Sequence, residues 1–143
     1  MRPMTGLLTI LFIVAASTTA PADARRRPIP RFDDKAQAVL DAANAGDQNR
    51  LKRLLPPCSP LLKSTADTGM TLLQWALNNG KERAFRLLLK AGADPEQPGL
   101  YGYTVIHDAA WHRNSKWLKI LLENGANPDV RSAETGTLPL YEA

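Results

Sequence analysis

The side chains with the most chemical potential in this sequence are His107, Asp108 and His112, which fall within six residues of one another. On a helix turning 100° per residue, His107 and His112 point about 140° apart and cannot converge on one ion. Asp108 and His112 do share a face, yet two ligands without a third make a poor metal site. Nowhere does a serine, threonine or cysteine fall into a recognisable nucleophile–base arrangement, no glycine-rich loop is built to cradle a phosphate, and no paired-cysteine spacing occurs. The residues therefore exclude a metal, a cofactor and catalysis from the expectation. What remains is to ask which elements hold this cluster and what surface they make.

The chain is 143 residues long, 44% apolar and 22% charged, with a formal charge of +4. Those values fit one modest folded domain and neither a disordered tail nor a membrane bundle. The first 24 residues carry Arg2, an uncharged apolar block from Gly6 to Ala16 and the small-residue ending Ala22-Asp23-Ala24. This is the three-part layout of a secretory signal peptide, with cleavage expected after Ala24. The block is too short for a stable membrane span, which needs about 20 residues. Export to a periplasm or to the medium is the expectation, although Arg25, Arg26 and Arg27 place positive charge on the flank that tends to stay cytoplasmic. In an oxidising compartment the single cysteine, Cys58, is either a site for an intermolecular bond or, as the blander expectation, shielded as a small apolar residue. Residues 25 to 33 read as an extended basic arm, because Pro28 and Pro30 remove donors and push their predecessors out of helical geometry. Beyond residue 35 the charges nearly balance, 12 basic against 11 acidic.

Residues 69 to 95 align with residues 102 to 128 at an offset of 33 without a gap. Gly69 pairs with Gly102, Thr71 with Thr104, Leu73 with Ile106, Ala76 with Ala109, Leu88-Leu89 with Leu121-Leu122, and Pro95 with Pro128. An earlier copy sets Val39, Ala42 and Gly46 against Leu73, Ala76 and Gly80, and a partial fourth begins at Gly136. The apolar spacing inside each copy is helical, giving a pair of short antiparallel helices. Asp33 and Asp34 are candidate N-caps, and Gly92 and Gly125 stand where a left-handed C-cap favours glycine.

TLLQWALNNG with LLLKAGADP, TVIHDAA with ILLENGANP, and LPLYEA together resemble the ankyrin repeat, whose signature is T-P-L-H-x-A. Leu72 and Val105 replace the signature proline, Gln74 replaces its histidine, and Arg113 stands where Gly80 stands one copy earlier, with Asn114 able to take the left-handed turn. The first copy closes on Pro57-Cys58-Ser59, so its connecting turn is expected to be irregular. The resemblance implies an all-α solenoid of stacked helix-turn-helix units joined by β-turn-like loops, over residues 34 to 143. Its copies fall at about 36–66, 67–99, 100–132 and a partial 133–143. The partial copy has no second helix to bury Leu138 and Leu140, so a frayed edge is expected there.

In this family the signature histidine, here His107, ties neighbouring turns together. The resemblance also implies a non-catalytic scaffold, without cofactor or small-molecule substrate, that binds another protein on a concave face of turn tips and first-helix ends. The matching positions are Met70, Asn78 and Asn79 in the second copy, and Leu100, Tyr101, Tyr103, Trp111 and His112 in the third. Rigid aromatics at a protruding surface are common interface anchors. Trp75 and Trp117 are read as packing residues. The alternative is an electrostatic adaptor for an anionic surface or nucleic acid. It would use the arm together with Arg50, Lys52, Arg53, Lys81, Arg83, Arg86, Lys90, Lys116 and Lys119 on the second helices. Charged residues keeping the outside of a solenoid soluble are the plainer account of that stripe.

Overall fold

The computed structural model describes residues 29–139 apart from 58, 113 and 114. Among the described residues six helices follow one another as three pairs: α1 (Asp34–Ala45) and α2 (Gln48–Leu54), α3 (Leu72–Asn78) and α4 (Glu82–Lys90), α5 (Val105–Trp111) and α6 (Ser115–Glu123). Short 3₁₀ turns span Pro60–Lys63 and Leu100–Gly102. Among the described residues the only β feature is an isolated bridge between Thr65 and Thr71. The chain is an all-helical stack, as its sequence pattern predicts.

The helix ends follow from local chemistry. Asp33 caps α1, its carboxylate accepting the Ala36 N–H at 2.7 Å, and Asp47 does the same for Arg50 at the start of α2. Thr71 and Gln74 form a reciprocal box at the start of α3: the Gln74 N–H donates to Thr71 Oγ1 at 3.2 Å and the Thr71 N–H donates to Gln74 Oε1 at 3.0 Å. Gly92 and Gly125 take left-handed backbone at φ 97° and 81°, as expected after α4 and α6. The anticipated irregular turn of the first copy contains the 3₁₀ segment Pro60–Lys63, capped by Ser59 and burying Leu62.

Helix α1 packs on α2 and α4, α3 on α4 and α5, and α5 on α6. Ala42, Ala76 and Ala109 occupy the same position in successive copies and are wholly buried. A methyl group there lets the neighbouring helices approach closely. Phe85 of α4 meets Trp117 of α6 edge to face, with ring centroids 5.0 Å apart at 73°, and so joins the second pair to the third. Trp117 is buried as expected and Trp75 is half-buried. At the far edge Leu138 is half-buried. The expectations for the signal peptide, for Arg25 to Pro28 of the arm, for Cys58, for Arg113-Asn114 and for Leu140 fall outside the described residues.

A candidate protein-binding face

The turns that precede α3 and α5 are built alike. The Ala66 N–H donates to the Met70 carbonyl, and one copy later the Gly99 N–H donates to the Tyr103 carbonyl, both at 2.9 Å. Inside each loop a glycine closes the tip, Gly69 to Ala66 and Gly102 to Gly99. Behind the tips sit two buried side chains that hold one copy to the next. The Gln74 side chain accepts N–H groups from Thr71 and from Leu100, at 3.0 and 3.1 Å, and donates to the Tyr103 carbonyl at 3.1 Å. His107 Nδ1 accepts the Thr104 N–H at 3.3 Å and its Nε2 lies 3.0 Å from the Thr137 carbonyl. An amide can only donate and a carbonyl can only accept, so the proton of this imidazole belongs on Nε2. Gln74 thus performs between the second and third copies the task that His107 performs between the third and fourth. At that junction the amide supplies both the donor and the acceptor that the imidazole supplies one copy later.

With the tips fixed, the outward side chains separate into two groups. Tyr101 and Trp111 are each 69% exposed, among the four large apolar side chains most open to solvent. Tyr101 sits at the loop tip with left-handed backbone, φ 55° and ψ 30°. It is the one described non-glycine residue with positive φ, a conformation that costs about 1 kcal/mol. Asn78, Asn79 and His112 are exposed too, and His112 Nε2 meets Asn78 Oδ1 at 2.8 Å, joining the ends of α5 and α3. Met70, Leu100 and Tyr103 are half-buried. Tyr103 leans on the His107 ring, centroids 5.4 Å apart at 57°.

Residues 39–132 match the family profile described as ankyrin repeats, three copies. The chain belongs to the ankyrin-repeat family. It is 40% identical over 139 residues to Protein PhlB of Serratia liquefaciens, an alignment covering 96% of this chain and 60% of that protein. It is 29% identical over 118 residues to an ankyrin repeat-containing protein of Treponema pallidum, and 28% identical over 131 residues to human Rabankyrin-5, covering 37% and 11% of those relatives. The chain thus spans at most 60% of the length of each of these relatives. Ankyrin repeats generally mediate protein–protein interaction and are generally non-catalytic.

Asp108 is the residue on this ankyrin face whose part was missed from sequence, where it figured only as half of a poor metal pair. It occupies the position of Trp75 one copy earlier, a half-buried place on the first helix. Burial pushes its carboxyl up from 3.8 to about 6, and a hydrogen bond from the Gln74 side chain pulls weakly the other way. The offset of 33 already marked the anomaly, a carboxylate in a tryptophan's place. Among the described residues no cluster of three or more potential metal ligands occurs.

Proposed function

We propose that this chain is an exported, non-catalytic ankyrin scaffold that holds another protein on its concave face and so sequesters or neutralises an exported enzyme or toxin. The face comprises Tyr101, Trp111 and His112, framed by Met70, Asn78, Asn79, Leu100 and Tyr103. One observation carries the reading: two large aromatics, Tyr101 and Trp111, stand in solvent within one copy, one of them on strained backbone. Strain kept at an exposed aromatic is not repaid by packing, and such outliers cluster at binding sites.

Affinity capture from the native compartment tests this, with the wild-type chain beside the double variant Tyr101→Ala, Trp111→Ala. A partner held by the first and lost by the second, with both melting alike, supports the face. Identical partners on both defeat it. Mass spectrometry of the mature protein should find Arg25 at its N-terminus, and an intact Met1 would sink the export reading.

The second helices favour a second reading to a lesser degree, since α2, α4 and α6 carry eight basic residues and two acidic ones. Part of that charge is already engaged: Glu82 pairs with Arg86 at 3.0 Å and with Lys116 of the next copy. Those cations hold the Glu82 carboxyl below its ordinary range. Capture that weakens steeply with added salt and ignores the aromatic substitutions would favour the basic stripe.

A further inference from the structure

Charge is sorted across this stack. The second helices carry eight basic and two acidic residues, whereas α1, α3 and α5 carry Asp34, Asp41 and Asp108 against Lys35 alone. Two of those carboxylates, Asp41 and Asp108, occupy the same place on α1 and α5, with Trp75 on α3 between them. Trp111 follows Asp108 one helical turn later and is open to solvent. Among the described residues, no lysine or arginine comes within ion-pair distance of Asp108. A half-buried carboxylate that stands beside exposed indole and has, among the described residues, a hydrogen bond from the Gln74 side chain and no cation is matched by a ligand that brings one.

We infer that the partner docks by directing a lysine or arginine side chain at Asp108, flanked by Trp75 and Trp111. This rests on the first-helix face being the partner site, and it names what the partner presents there. The planar, weakly hydrated guanidinium suits the site best, since it can stack on indole while it hydrogen-bonds a carboxylate. Burial raises the cost of ionising Asp108 in the free protein, and a bound cation lowers that cost.

The test uses the full chain and three capped tripeptides whose central residue is arginine, glutamine or glutamate. The Asp108 side-chain carboxyl is followed by NMR and the indoles by fluorescence. The arginine peptide should perturb both saturably and move the Asp108 titration to lower pH, and the glutamate peptide should do neither. Asp108→Asn should weaken the arginine response by about tenfold or more. An Asp108 resonance untouched by the arginine peptide, or a response equal for the other peptides or in Asp108→Asn, overturns the inference. The face is judged separately: a native partner lost with Tyr101→Ala, Trp111→Ala while arginine leaves Asp108 unperturbed means that the face stands and this inference falls.

Discussion

The second and third copies are the same object underneath and different objects on top. Both loops close through the same backbone bond, both first helices start at a threonine, and both second helices wholly bury the leucine at the same position, Leu88 and Leu121. On the outward side the copies diverge: Thr68 becomes Tyr101, Asn78 becomes Trp111 and Trp75 becomes Asp108. Side chains that meet the next copy are constrained by packing and hydrogen bonding, whereas those that meet solvent answer only to whatever binds there. The third copy is where this chain departs furthest from what its own stack requires.

The largest expected effect concerns the inter-copy ties. Gln74→Ala would strand the Thr71 and Leu100 N–H groups, two backbone donors at a buried junction, while the Tyr103 carbonyl keeps its bond from the Gly99 N–H. With about 1.5 kcal/mol for each of the two, denaturant unfolding should show a loss of about 3 kcal/mol. His107→Ala strands only the Thr104 N–H, since the Thr137 carbonyl keeps its bond from the Ser132 N–H, and should cost less. If the two residues do the same work, His107→Gln should be milder than His107→Ala. Equal losses for Gln and Ala would show that the imidazole does something an amide cannot, and the likeness of the two junctions would fail.

Next in size is the exchange of Trp75 for Asp108. A carboxyl raised from 3.8 to about 6 binds its proton more tightly in the folded chain than in the unfolded one. Its effect on stability is therefore absent below the unfolded value, becomes unfavourable as pH rises between the two, and levels off above the folded value. At 1.36 kcal/mol per pH unit the cost at neutral pH reaches about 3 kcal/mol at most. Asp108→Asn should accordingly unfold at higher denaturant than wild type near neutral pH, and the two curves should converge as pH falls toward 4. A constant difference across that range would remove the buried carboxylate as its cause.

How far the sequence discloses all this depends on whether a residue's task is local or relational. The three helix pairs, the buried alanines and the left-handed Gly92 and Gly125 are visible because the period of 33 and the 3.6-residue turn repeat them. Tyr101 and Trp111 stand out as candidate anchors because a solvated position of a repeat has no structural use for an aromatic. Gln74 reads as a broken signature until its three bonds are seen, since the sequence does not show that an amide reaches both Leu100 and Tyr103. The partial burial of Tyr103 against His107 and of Asp108 against Gln74 of the neighbouring copy is equally hidden, being set by packing. The offset alone, which places Asp108 over Trp75, carried the one available hint.

The smallest effect on stability is the sharpest test of the contrast. Trp111→Asn gives the third copy the second copy's residue at a site where the indole is 69% exposed. The lost burial is slight, asparagine is a poorer helix former than tryptophan by a few tenths at most, and the net change should stay within about 0.5 kcal/mol. A larger loss by thermal or denaturant unfolding would mean that Trp111 supports the stack, and its exposure would no longer argue for a partner. With stability preserved, any loss of captured partner belongs to the surface itself. The reciprocal Asn78→Trp removes the carbonyl that meets His112 and sets a second indole one copy away. It should leave the fold intact without restoring capture to a Trp111→Asn chain, because Tyr101 and Asp108 remain in the third copy, beside the position that the tryptophan has left.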